Sequence, residues 1–306
     1  MFNLILKRFL VAIPVLLIVA SITFFLVRLA PGGPFDSEKV VSPQVLKNLN
    51  EVYNLNAPLV EQYFDYIVNA LQGDFGPSFR YPGRSVSEMI LTGLPVTLEL
   101  AMYAVLFATI LGLIAGIIAA VKKNTFLDYF PMAIAMLGIC MPTFLLGPIL
   151  LLLFGIELEL LPVSGWDTLP GDKVLPAITL GAAYAAYIAR LARGGMLETL
   201  NQDYIRTARA KGLPEFKVVL VHAARGGLIP VIAFMGPAIA GLIGGSFVVE
   251  TIFQIPGLGR FYVEAAFNRD YTMILGTTIF FSALIIFFNL LSDIAIAFFN
   301  PQARSS

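Results

Sequence analysis

Three basic residues, Arg206, Arg209 and Lys211, fall within the short stretch Asp203 to Lys211, interleaved with the small residues Thr207, Ala208 and Ala210. Positive charge on a slim helix suits close seating in a groove on another protein, and equally suits a solvated loop. Catalytic chemistry has less to work with. Cys140 is the one cysteine and His222 the one histidine in 306 residues. Neither a disulfide within the chain nor a Cys/His zinc site can therefore be built, and a Ser/His/Asp triad would rest on a single imidazole. No lysine is followed by Ser or Thr, so the phosphate-cradling signature GxxxxGK[ST] is absent. Twenty basic residues balance twenty acidic ones, which gives no reason to expect a nucleic-acid partner.

The stretch carries its own punctuation. Asp203 is expected to cap a two-turn helix, Tyr204 to Lys211, whose first turn holds Tyr204, Ile205 and Arg206. Gly212 supplies the left-handed residue that ends it, and Pro214 blocks continuation while suiting the first position of the next helix. His222 follows in that next helix, where packing or a protein contact is the plain expectation.

What must position this helix is a membrane domain. The chain is 58% hydrophobic and 13% charged, with mean hydropathy +0.83, too apolar to cover a water-exposed globule. Charge-free windows run Phe9–Val27 (19 residues), Leu100–Val121 (22), Tyr129–Ile156 (28), Val174–Ala189 (16), Gly226–Val249 (24) and Tyr271–Ser292 (22), against roughly 20 residues for one helical crossing. Six spans are predicted. Arg190 and Arg193 end the shortest, where long basic side chains can snorkel and extend it, and Pro142 and Pro148 are expected to bend the third. The first window reads as an uncleaved anchor, because Val27-Arg28-Leu29-Ala30-Pro31 puts Arg where a signal-peptide cleavage site needs a small residue.

Basic residues set the orientation. Lys7, Arg8, Lys122, Lys123, Arg193, Arg206, Arg209, Lys211, Lys217 and Arg225 share one side of a six-span threading, which makes that side, and both termini, cytoplasmic. The outer segment between the first two spans holds Leu59, Tyr63, Ile67, Val68 and Leu71 at helical spacing, as for a helix lying against the outer face. Gly112 and Gly116, Gly241 and Gly245, and the run Gly181, Ala182, Ala183, Ala185, Ala186 and Ala189 make smooth faces. They serve either packing within the chain or rocking against a partner.

At the basic loop the chain resembles a known family. Asp203-Tyr204-Ile205-Arg206-Thr207-Ala208-Arg209-Ala210-Lys211-Gly212-Leu213-Pro214, with Val221-His222-Ala223 and Leu228-Ile229-Pro230-Val231, is similar to the cytoplasmic EAA loop of ABC-importer permeases of the dipeptide/oligopeptide/nickel family. Asn3 through Phe35, Gly73-Asp74-Phe75-Gly76-Pro77-Ser78, Leu94-Pro95-Val96-Thr97-Leu98, Glu250-Thr251-Ile252-Phe253, Pro256-Gly257-Leu258-Gly259, Asn268-Arg269-Asp270-Tyr271, and Asn289-Leu290 with Asp293 extend the likeness to nearly the whole chain. The OppB-type first membrane subunit of oligopeptide importers is the nearest branch. There are departures. Arg206 stands where the general pattern has Glu, Thr207 at the second small position, Arg225 where a Pro is displaced to Pro230, and Asn300-Pro301-Gln302 where relatives have Asp-Pro-Arg.

The resemblance implies an all-α integral membrane protein of the type I ABC-importer permease fold. Its parts are a first segment (1–29), an extracytoplasmic loop region (30–97), a core permease domain (98–299) containing the coupling loop 193–225, and a cytoplasmic terminus (300–306). It implies ATP-driven import of peptides, with no enzymatic activity of the chain's own. Partners would be a second homologous permease subunit, two cytoplasmic ATP-binding subunits that hold ATP and Mg, and an extracytoplasmic peptide-binding protein. Asp203, Tyr204, Ile205, Arg206, Thr207, Ala208, Arg209, Ala210, Lys211, Gly212 and Pro214 would couple to the ATPase, and Glu250, Pro256, Gly257 and Gly259 would stand at an outer gate. Import of dipeptides, glutathione or nickel chelates is the alternative within the family. An ion-coupled transporter is opposed by the lack of ionisable groups at the centre of any window, and a non-transporting scaffold leaves the punctuated helix unexplained.

Overall fold

A computed structural model describes residues 2–30 and 54–299; helices joined by turns and short loops make up this part, and strand pairing among the described residues is one bridge between Pro77 and Ser85. In chain order the helices are α1 (Phe2–Leu29), α2 (Leu59–Leu71), α3 (Val86–Val121), α4 (Phe126–Cys140), α5 (Thr143–Leu150), α6 (Val174–Leu200), α7 (Asp203–Ala210), α8 (Glu215–Lys217), α9 (Ala224–Gly227), α10 (Ile229–Ile252), α11 (Leu258–Asn268) and α12 (Tyr271–Phe299). Five of them are long and apolar enough to cross a bilayer: α1 from Arg8, α3, α6, α10, and α12 as far as Ile294.

The third window is a broken span. Met141 and Pro142 are extended (ψ 114° and 148°), and α5 with its π-helical continuation Leu151–Glu157 leaves at 111° to α4. Pro142 explains the break, since it lacks an N–H and steers the residue before it out of the helical region. Pro148 lies inside α5 without ending it.

Two compact units divide the chain, one built on Leu98–Ile255 with the residues from Phe287, the other on Phe2–Thr97 with Pro256–Ile286. In the first, α6 acts as a ruler. At its start Lys173 pairs with Glu99 of α3 (2.5 Å) and Asp167 (2.6 Å), and Trp166 donates to Glu99 (3.2 Å). Near its end Arg193 grips Asp128 of α4. Twenty residues of helix separate the two sites by about 30 Å. The chain from Asp128 to Trp166 therefore climbs the full height once, and α4 and α5 together make a single crossing. Likewise α10 starts where Gly227 meets Gly195 and ends where Phe253 accepts a hydrogen bond from the Gly165 N–H (3.3 Å).

Small residues let these helices touch. A methyl on Gly112 would lie 2.7 Å from the Ala185 carbonyl oxygen, and one on Gly116 2.5 Å from that of Ala189. This face of α3 and the alanine face of α6 are thus consumed by packing inside the subunit. Gly245 has open space beside it.

The second unit joins α1, α2, the start of α3, α11 and the first half of α12. Val86, Met89, Ile90, Leu258, Ala265 and Met273 form its buried core, with Phe75, Tyr81 and Phe261 packed around them.

Candidate functional site

The basic helix forms as α7, Asp203–Ala210, one residue earlier than the sequence suggests. Asp203 does not cap it. Gln202 occupies the cap without a side-chain bond, while Asp203 sits in the first turn and reaches Arg206 (3.3 Å), both strongly exposed. The C-terminal punctuation holds. Gly212 adopts φ +74° and donates to the Arg209 carbonyl (2.9 Å), and Leu213 donates to that of Ala208 (3.4 Å). This is the six-to-one closure that a left-handed residue permits, with Lys211 as the last half-helical residue. Pro214 stands at the N-cap of α8 rather than at its first helical position.

Two side chains hold α7 to the rest of the subunit. Ile205 is fully buried and Ala208 nearly so, in a cluster with Ala120 of α3, Met196 of α6, and Val218, Val219 and Ala223. Leu213 packs against the same cluster, so the closing turn is pinned by an apolar contact as well as by its hydrogen bonds. Tyr204, Arg206, Thr207, Arg209, Ala210, Lys211 and Gly212 are exposed. Burying a side chain such as Ile205 contributes about 1.5–3 kcal/mol. The helix is seated by one stripe and presents the remainder outward.

Arg209 adds a brace. Its Nη2 and Nε donate to the two oxygens of Glu215 (2.7 and 3.2 Å), tying the end of α7 to α8 across the Gly212 turn. The hydrogen bond from Arg209 holds the Glu215 carboxyl below its ordinary value, and the same bond raises Arg209. Beyond α8 the helix widens to π geometry over Val218–Ala223, which includes His222, before α9 and α10. An inserted π turn is a common device beside functional segments, and no pattern in the sequence announces it.

Arg193 differs from expectation. Instead of reaching toward lipid headgroups it donates through Nε and Nη2 to both oxygens of Asp128 (2.6 and 2.9 Å), a carboxylate 1% exposed that also accepts the Asn124 N–H (2.9 Å). A bidentate pair of this kind is strong and directional. It clamps the start of α4 to α6 beside the loop. Its one sequence signal is Asp128, a lone carboxylate next to Lys122 and Lys123 on the basic side.

The four residues expected at an outer gate separate by unit. In the first, Glu250 is buried near the end of α10, where Ser246 of the same helix donates to it (2.8 Å) and its carbonyl accepts the Ile255 N–H (2.8 Å). In the second, Pro256 and Gly257 precede α11, Gly257 as its cap, and Gly259 is buried in its first turn. The Leu258 N–H donates to the Thr97 hydroxyl (2.9 Å), and a methyl on Gly93 would lie 2.8 Å from the Leu258 nitrogen.

Two motifs that the sequence leaves apart meet in the second unit. Asp270 caps α12 through Met273 N–H (3.2 Å) and accepts the Ser78 hydroxyl (2.5 Å), the Arg80 N–H (3.2 Å) and the Thr272 hydroxyl (3.0 Å). Thr272 also lies within 2.6 Å of the Pro77 carbonyl. The run Gly73–Ser78 is thereby bound to Asn268–Tyr271. Pro31 to Phe35 and the terminus at 300–306, including Asn300-Pro301-Gln302, lie outside the described residues.

A helical membrane domain with a short docked helix at the end of its fourth span is the fold of ABC-importer membrane subunits. The inward-facing MetNI methionine ABC transporter is similar at TM-score 0.57 and 16% identity, covering 69% of this chain and 96% of that one; an amino acid ABC transporter crystallised with histidines is similar at TM-score 0.52 and 15% identity, covering 68% and 92%. Residues 112–305 match the family described as binding-protein-dependent transport system inner membrane component, and residues 1–101 match its N-terminal region. The chain belongs to this family. Curated relatives include the oligopeptide transport system permease proteins OppB of Haemophilus influenzae, 46% identical over 99% of this chain and all of the relative, and of Escherichia coli K12, 45% over the same shares. The dipeptide permease DppB of Bacillus subtilis is 43% identical over 97% of this chain and 96% of its own length. The protein is a multi-pass inner-membrane transport component, part of an importer with other subunits.

Proposed function

We propose that this chain is the OppB-type permease subunit of an ATP-driven importer of peptides, oligopeptides rather than dipeptides. The observation that carries the reading is the division of α7 into a buried stripe, Ile205 and Ala208, and an exposed face that carries Arg206 and Arg209. In this reading α7 sits in a groove on one of two cytoplasmic ATP-binding subunits, which bind ATP and Mg. A second homologous permease completes the pathway, and an extracytoplasmic binding protein delivers the peptide. The excess of basic residues in the loops of one side supports a cytoplasmic position for both termini.

Mechanically, α7 is a short lever. Closure of the ATPase pair moves it, and the motion passes through Ile205 and Ala208 to α3 and α6, and through Gly212 and the Arg209–Glu215 brace to α10. The clamp between Arg193 and Asp128 keeps α4 with α6 as the lever moves. Glu250, near the end of the fifth span, and Pro256, Gly257 and Gly259, after it, are assigned to the outer gate on their position in the sequence.

The test is reconstitution with the partner subunits in proteoliposomes. ATP-dependent accumulation of a labelled oligopeptide, with a dipeptide competing poorly, is expected. Accumulation that ignores ATP would overturn the reading, and preference for the dipeptide would move it to the other branch.

A further inference from the structure

Helix α2 belongs to no part of this transport scheme, and its surface falls into three sectors. At 3.6 residues per turn, Gln62, Tyr63 and Tyr66 share one side and pack on α1. Tyr63 stacks on Phe25 (5.7 Å) and shares a hydrogen bond with Ser21 (2.7 Å), Gln62 accepts from Arg28 Nε (3.1 Å), and Tyr66 lies beside Phe24 (6.4 Å). Glu61, Asp65 and Asn69 form an exposed polar side. Between them Val60, Phe64, Val68 and Leu71, each more than half exposed, form an apolar stripe spanning about 80° of arc.

We infer that α2 lies in the outer membrane–water interface, with Val60, Phe64, Val68 and Leu71 in the acyl region and Glu61 and Asp65 in water. The bilayer is the occupant because the stripe continues the exposed apolar surface of a helix long and apolar enough to cross a membrane. The apolar stretch of α1, Arg8–Leu29, is only 11% buried, and Ile22, Phe25, Leu26 and Leu29, on the part α2 packs against, are exposed and apolar. A water-facing docking surface would not adjoin that belt. The polar side is acidic, so burial of apolar surface supplies the attachment rather than attraction to anionic headgroups.

Single nitroxide labels test this on the full chain in lipid nanodiscs, in a Cys140→Ala background. The sites are Val60→Cys, Phe64→Cys and Val68→Cys against Glu61→Cys and Asp65→Cys. Oxygen, which concentrates among acyl chains, is expected to relax the apolar-side labels several-fold more effectively than a water-soluble nickel chelate, with the order reversed at 61 and 65. Anionic lipid should leave the pattern unchanged. Equal nickel access on both sides would overturn the inference in favour of a water-facing surface. Exclusion of both reagents from 60, 64 and 68 would overturn it in favour of a protein cover.

Discussion

The knot around Asp270 and the helix α7 are both polar structures at helix ends, and they treat their charges in opposite ways. Asp270 is 1% exposed and accepts from Ser78, Arg80, Thr272 and Met273. On α7 the buried residues are apolar and the charges stand in water. The first arrangement is closed and needs nothing from outside. The second is held by its apolar stripe, and its charges, paired with Asp203 and Glu215, stay exposed. The structural join and the proposed coupling element differ in which class of side chain each one buries.

The largest effect should come from opening the knot. Asp270→Ala strands the Ser78 hydroxyl and the Met273 N–H and leaves the Arg80 N–H and the Thr272 hydroxyl with one acceptor each, on Ser78 and Pro77; a loss of about 3–5 kcal/mol is expected from the network, read as a lowered unfolding midpoint in detergent. Asp270→Asn should recover part of it. The seat comes next. Ile205→Ala removes the largest buried side chain of α7 and should cost about 2–4 kcal/mol, seen as faster tryptic cleavage at Arg206 and Arg209. An unchanged cleavage rate would mean that α7 is not held by its stripe.

Gly212→Val forces a β-branched residue to φ +74°, at a cost of roughly 1–2 kcal/mol. The protein should still insert, with reduced peptide uptake and looser coupling of ATP hydrolysis. Undiminished transport would remove the lever. The smallest effect belongs to the brace. Arg209→Ala breaks an exposed pair worth about 0.5 kcal/mol. Because the Glu215 carboxyl is held below its ordinary value of 4.5, the brace is fully present above that pH. It is lost as pH falls through the lowered value, so cleavage at the turn should be flat across neutral pH and rise only in acid.

Much of α7 is legible in sequence because its end depends on residues a few positions apart: Gly212 and Leu213 close on Arg209 and Ala208, and Pro214 follows. The start is less so, since Gln202 serves as a cap without using its side chain and Asp203 turns to Arg206 instead. The spans read well, being counts of uncharged residues, and Pro142 marks the break in the third. Long-range partners are hidden. Arg193 and Asp128 lie 65 positions apart and Ser78 and Asp270 192 apart. The lone carboxylate of Asp128 among basic residues marks the position but not its partner, and each motif around Ser78 and Asp270 is recognisable only alone.

Helix α7 buries 205 and 208 and, in the proposed function, offers the rest to an ATP-binding partner; cysteine protection tests that directly. In a Cys140→Ala background, single cysteines at 205, 206, 207, 208 and 209 are reacted with a water-soluble maleimide, in the chain alone and in the assembled importer. The account predicts slow labelling at 205 and 208 throughout, and fast labelling at 206, 207 and 209 that the ATP-binding subunits suppress. Fast labelling at 205 and 208 in the isolated chain, or no suppression at 206, 207 and 209 in the assembly, would contradict it.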